Sequence, residues 1–315
     1  MCKLSSQILL VCVFLFALTA QAIADPLSDA DRAYDEGNYV KAAKLYIPLA
    51  QRGNAEAQAN LGLMYMNGQG VHQDYKRALK WWRRAAKQGN ASAQFNLGVM
   101  YKFGKGVPQD YKESMRWWQL AAAQGNALTQ FNLGLMYANG HGVRQNYKEA
   151  VKWWQLAAAQ KNAEAQFNLG LMYANGHGVP QDNQEAVKYW KLAAEQGGAP
   201  AQNNLGVMYE KGNGVPQDYK EAAKWFRLAA EQGHAQAQYN LGAMYDKGQG
   251  VPQDYVLAYM WGNIAAANAN STEEREDAIK QSDSIATHLA ADKIIESQEL
   301  VRKCTANKFK GCPSH

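Results

Sequence analysis

The chain has 315 residues, of which 47% are hydrophobic, 11% aromatic and 19% charged. That apolar content supports a sizeable core, and neither of the other fractions fits a disordered chain. The 33 basic and 28 acidic side chains leave a formal net charge of +5, spread along the sequence, which is no nucleic-acid footprint, and four cysteines are too few for a disulfide-dense scaffold or a zinc-finger array.

Residues 1–24 read as a signal peptide. Lys3 precedes an apolar run from Ile8 to Ala20, and Ala22-Ile23-Ala24 forms an A-x-A cleavage site before Asp25-Pro26. The run falls short of the roughly 20 residues that a membrane span needs. Cleavage after Ala24 removes Cys2, Lys3 and Cys12. No later stretch reaches 18 consecutive apolar residues. The expected product is a periplasmic or secreted protein with no transmembrane segment after signal cleavage.

Residues 25–52 read as an N-terminal capping half-repeat. They keep an apolar pattern at Ala42, Leu45, Tyr46, Leu49 and Ala50, but have only a short turn at Glu36-Gly37. From residue 53 to 268 the sequence then lies on itself when shifted by 36, in units 53–88, 89–124, 125–160, 161–196, 197–232 and 233–268. Such a period signals a solenoid of helix pairs. Asn-Leu-Gly opens at Asn60, Asn96, Asn132, Asn168, Asn204 and Asn240, and a Met-Tyr pair follows each time.

The first helix of a unit spans roughly Ala55 to Asn67. Its glycine, Gly62, costs about 1 kcal/mol against alanine, so its recurrence argues for a close approach there. Gly68-Gln69-Gly70-Val71 ends that helix. The second helix starts after an N-cap at Asp74, Asp110, Asn146, Asp182, Asp218 or Asp254. Glu113, Glu149, Glu185 and Glu221 stand three residues on, as in a capping box. Ala78, Trp81, Trp82, Ala85 and Ala86 make an apolar stripe, so the tryptophans read as core. Glycine closes most units, as at Gly89 and Gly125, but Lys161 breaks that rule and marks a weak joint.

Residues 269–315 read as C-terminal capping helices and a tail, with apolar positions Ala278, Ile285, Leu289, Ile294, Ile295, Leu300 and Val301. Cys304 and Cys312 are the two cysteines left after cleavage, and in an oxidising compartment they are expected to pair.

The recurring pattern Ala-x-Ala-Gln-x-Asn-Leu-Gly-x-Met-Tyr-x-x-Gly-x-Gly-Val-x-Gln-Asp-Tyr-x-x-Ala-x-x-Trp-Trp-x-x-Ala-Ala resembles the Sel-one-like repeat, a relative of the tetratricopeptide repeat. The resemblance covers 53–268. It implies an all-α fold, an α/α superhelical solenoid with capping helices, used as an adaptor or scaffold for protein complexes.

Evidence of catalysis is missing from the sequence. There is no nucleophile elbow, P-loop, H-E-x-x-H, paired-cysteine or S-x-x-K motif. Cysteine-rich secreted members of the resembled family, linked to β-lactam binding, carry a cysteine pair in each repeat, whereas these repeats contain none. His141 and His177 share a loop position one repeat apart, about 10 Å in a stack, which is too far for one zinc ion. The lysines and arginine at 80, 116, 152, 188 and 224 read as a solvated outer face, partly neutralised by Glu149, Glu185 and Glu221. No catalytic residue, metal site or cofactor is therefore expected.

The expected function is a non-enzymatic adaptor that binds a protein or peptide in the concave groove, with no nucleic-acid partner. Glu56, Asn60, Leu63 and Asn67 fall on one stripe of the first helix, so repetition lines the six asparagines of the Asn-Leu-Gly motifs along that groove. Phe95, Phe131, Phe167 and Tyr239, one residue earlier in their units, offer apolar pockets beside them. The amides either contact a peptide backbone or satisfy the solenoid's own. A second reading is an envelope protein binding a polymer such as peptidoglycan or exopolysaccharide, and a remote third is a β-lactamase-like hydrolase.

Overall fold

The computed structural model describes residues 25–313; the signal-peptide reading of 1–24 lies outside them. Among these residues there are 16 α-helices and no strand. The first pair is α1 (Pro26–Asp35) and α2 (Tyr39–Gln51), and the repeats follow as α3 (Ala55–Asn67) with α4 (Tyr75–Lys87) and α5 (Ala91–Phe103) with α6 (Tyr111–Ala123). Next come α7 (Ala127–Asn139) with α8 (Tyr147–Ala159), α9 (Ala163–Asn175) with α10 (Asn183–Glu195), α11 (Ala199–Lys211) with α12 (Tyr219–Ala230), and α13 (Ala235–Lys247) with α14 (Tyr255–Asn268). The chain ends in α15 (Thr272–Ala286) and α16 (Ala291–Ala306).

These helices form two compact units, α1–α6 and α7–α16, divided between Gln124 and Gly125. Within each, successive helices up to α15 pack one on the next, which is solenoid stacking, and the last helix, α16, packs back on α14. Residues 25–52 make a whole helix pair around a short turn, not half of one.

The repeat's local signals act as the sequence suggests. Asp74, Asp110, Asn146, Asp182, Asp218 and Asp254 each accept an N-cap hydrogen bond from their helix's first turn. The reciprocal arm of the capping box is absent. The Asp110 amide donates to the Tyr101 carbonyl at 2.8 Å, and Glu113, Glu149, Glu185 and Glu221 pair forward with Arg116, Lys152, Lys188 and Lys224. Gly68 caps α3 with φ of 71°, and Gly70, with φ of 68°, lies so close to the Tyr39 carbonyl that no side chain fits. The loop thus both stops a helix and seats one repeat on the one before.

Within a repeat the close approach is between glycine and an indole. A Cβ built on Gly62 would sit 2.5 Å from Trp82, whose ring is 1% exposed. Trp118 lies over Gly98, Trp154 over Gly134, Trp190 over Gly170, and Phe226 over Gly206 in the same way. The last repeat drops the ring. Gly262 stands in its place, the α13 and α14 backbones close up at Gly242, and Ser282 of the cap sits over Gly262.

Between repeats the tie is a buried glutamine. Gln58 donates to the Ala50 carbonyl at 2.9 Å and accepts from Gln88 at 2.8 Å. Gln94, Gln166, Gln202 and Gln238 make the same backward bond, to Ala86, Ala158, Ala194 and Ala230. The cap closes the second unit as Ser297 donates to the Val256 carbonyl at 2.8 Å and Ile285 goes into the core, although Ile295 is 57% exposed and takes no part.

Lys161 occupies the left-handed region at φ 64°, where its counterparts Gly89, Gly125, Gly197 and Gly233 lie at 84–90°. A side chain there costs about 1–2 kcal/mol, offset in part by the extra chain entropy of glycine when unfolded. Lys161→Gly should therefore stabilise the protein by about 0.5–1 kcal/mol in a urea titration, and Gly197→Lys should lose at least as much. A destabilised Lys161→Gly protein would mean that the lysine carries an interaction worth more than its strain.

Candidate functional site

The stripe expected to face a partner points outward on α3: Glu56 and Asn67 are exposed, Asn60 and Leu63 half-buried. The two units present this first-helix face differently.

In the first unit much of the face is used by the fold. Asn60 donates to Asp31 at 3.2 Å and to the Tyr46 hydroxyl at 3.1 Å, which ties the capping pair to the first repeat. Burial, and the hydrogen bond that Tyr46 donates to Asp31, both raise the Tyr46 pKa. Asn96 is half-buried, and Phe95 stacks on Trp118 with centroids 6.1 Å apart. Lys102 lies 5.4 Å from the Trp118 ring and 5.2 Å from that of Phe103, and burial lowers its pKa.

The second unit carries a cavity on this face. Phe131, Phe167 and Asn168 line it with Ala163, Glu164, Ala193, Gly198, Pro200 and Ala201, around a volume of about 330 Å³. Two predicted aromatics and one predicted asparagine meet there. Each aromatic is held from below. The Phe131 carbonyl accepts from Trp154 Nε1 and the Phe167 carbonyl from Trp190 Nε1, both at 3.2 Å. The ring that fills the core thus also fixes the residue that opens the pocket.

The asparagines do not join into a ladder of amides along the face. Asn132 donates to the Leu128 carbonyl at 2.8 Å and Asn168 to that of Glu164 at 3.0 Å, each one turn back on its own helix. Asn204 accepts from Asn203 at 3.5 Å, and Asn240 donates to Asn203 at 3.2 Å. Asn203 replaces the aromatic of its repeat and is 6% exposed, so its amide is the hub of this cluster. The break in the row Phe95, Phe131, Phe167, Asn203, Tyr239 was the sequence signal for it.

Tyr239 stands apart from the Phe131–Phe167 cavity. It lines a pocket of about 250 Å³ between α13 and α15 with Gln236, Glu273, Glu274 and Asp277. Nearby, His234 caps α13; burial lowers its pKa, against the opposing pull of Glu274. Sequence reasoning missed these acids because they belong to the cap, outside the repeat whose period drew the eye.

Elsewhere, His177 stacks on Tyr147 at 5.1 Å between ring centroids. Among the described residues no group of three or more His, Cys, Asp or Glu side chains is placed to hold a metal ion, and no helix is long and apolar enough to cross a membrane. Cys304 and Cys312 lie in the core against Met260, with Cα atoms 5.2 Å apart.

The Sel1 repeat family model matches six consecutive stretches, 55–90, 91–126, 127–162, 163–198, 199–234 and 235–270. They begin where the first helices do, two residues after the units drawn from the sequence. A solved Sel1 repeat protein from Oxalobacter formigenes is 32% identical, covers 77% of this chain and 97% of its own, and superposes with a TM-score of 0.66. The structure of c5321, described as a protective antigen of uropathogenic Escherichia coli strains displaying an SLR fold, is 26% identical over 86% of this chain and 81% of its own, with a TM-score of 0.47. No curated protein matches the chain.

Proposed function

The chain belongs to the Sel1 repeat family, whose members are generally protein-interaction scaffolds, and we propose that this member is a non-enzymatic scaffold that works in the periplasm or outside the cell and holds a protein or peptide on its first-helix face. The observation that carries this reading is the cavity of Phe131, Phe167 and Pro200. Its rings are half-buried and fixed through their backbones, so an apolar side chain that docks there meets a preformed wall and costs little ordering. A sugar polymer is the weaker fit, because six of the nine tryptophans are buried and, of the half-buried Trp81, Trp117 and Trp153, the Trp81 ring is covered by Arg84 at 4.8 Å. The export assignment rests on the signal-like residues 1–24 and on the cysteine pair.

The Cα separation of Cys304 and Cys312 is within the usual disulfide range, and we take the pair to be bridged in the exported protein. Intact-mass analysis without reductant should then give a C-terminal peptide two hydrogens lighter than its reduced form. Two freely alkylated thiols in freshly exported protein would contradict the bridge. For the binding face, a photo-crosslinking amino acid at Asn168 should capture a discrete partner in cells, while the same group at Lys188, on the outer side of α10, should not. Equal capture at both positions, or capture at Lys188 alone, would move the surface elsewhere.

A further inference from the structure

The inference rests on the binding face just proposed and names what it takes. On the N-terminal edge of the second unit's first helices, equivalent positions carry Glu164, Pro200 and Gln236, each the second residue of its helix. Glu273 is likewise the second residue of α15. Along this edge the surface changes character. It opens with the apolar cavity of Phe131, Phe167 and Pro200. It passes the asparagine cluster of Asn203, Asn204 and Asn240. It ends at the pocket where Tyr239 and Gln236 face Glu273, Glu274 and Asp277. Three carboxylates and no lysine or arginine line that last pocket, although the chain as a whole has a net charge of +5; Lys280, in the adjoining hollow, pairs with Asp277 at 3.4 Å at the exposed rim, which leaves the pocket acidic by Glu273 and Glu274. The sign is therefore local and opposite to that of the molecule.

We propose that this edge binds an extended peptide through two anchors: a large apolar side chain in the Phe131–Phe167–Pro200 cavity, and a lysine or arginine in the Tyr239–Glu273–Asp277 pocket. Three features favour this occupant over a flat protein surface or a lipid layer. The two pockets are separate and concave, which suits single side chains. The stretch between them is amide, which both donates and accepts and so matches a peptide backbone. The acidic end sits beside an aromatic ring, which suits a cationic head on an aliphatic stem. The geometry also sets a spacing. One cavity lies between α9 and α11 and the other between α13 and α15, two helix intervals on. At about 8–10 Å per interval that is roughly 16–20 Å. An extended chain rises about 3.3 Å per residue, so the anchors should be about five to six residues apart.

A random 12-residue peptide library displayed on phage and selected on the purified protein tests this. Enriched peptides should share a large apolar residue and a Lys or Arg about five to six positions away, the basic residue at least fivefold above its background frequency. Glu273→Lys with Asp277→Lys, both at exposed positions, should turn that preference acidic and keep the apolar anchor. Pro200→Asp, also exposed, should cost the apolar anchor and keep the basic one. Enriched peptides without a basic residue, or the same peptides from the charge-reversed variant, would overturn the cationic anchor and leave the binding face standing. Failure to enrich any peptide would overturn both.

Discussion

The contact on which the rest depends is that of an indole ring against a helix with no side chain. In the first four repeats the tryptophan of the second helix lies over the glycine of Asn-Leu-Gly, nearer than any Cβ would allow. The glycine's helical cost of about 1 kcal/mol is small beside the 3–5 kcal/mol typical of a buried tryptophan. The two helices of a repeat are therefore held at a spacing that the ring sets. The fifth repeat keeps the arrangement with Phe226, and the sixth abandons it for glycine against glycine, where the cap takes over.

The same contact reaches the surface. Trp154 and Trp190 donate their ring N–H to the carbonyls of Phe131 and Phe167 and so satisfy a group that would otherwise be a buried orphan. Those two phenylalanines form the wall of the apolar cavity. Core and site share atoms, so a cavity on a stack of short helices stays open without its own scaffold. The glutamine ties from Gln94 to Ala86 and from Gln166 to Ala158 are separate from this contact and join repeat to repeat. Loss of a tryptophan is then expected to disturb both the pair and the pocket above it.

Most of the helical frame was legible in the sequence because it depends on signals that recur every 36 residues. The asparagine and aspartate caps, the paired glycines and the apolar stripe each have a local cause, and each appears where that cause puts it. Two kinds of feature escaped. The capping-box glutamates pair forward with basic residues because the cap amide is already taken by a carbonyl of the previous helix, a tertiary contact with no local trace. The candidate site was legible as a row of residues, but not as pockets. Phe131 and Phe167 gain their cavity from Ala193 of α10 and from Gly198 and Pro200 at the start of the pair that follows, and Tyr239 gains its acids from α15. Those are consequences of stacking, and they vary from repeat to repeat where the sequence pattern does not.

The most direct measurement is the double-mutant cycle of Gly134→Ala and Trp154→Leu, read as urea unfolding free energies. If the ring sets the spacing, Gly134→Ala alone destabilises by about 1–3 kcal/mol, as an overpacked core does. The alanine should then cost at least 1 kcal/mol less once Trp154 has been shortened, a coupling expected only of residues in contact. The contradicting result is that Gly134→Ala stabilises the protein by about 1 kcal/mol, as at an uncrowded helix position, or that the two changes simply add.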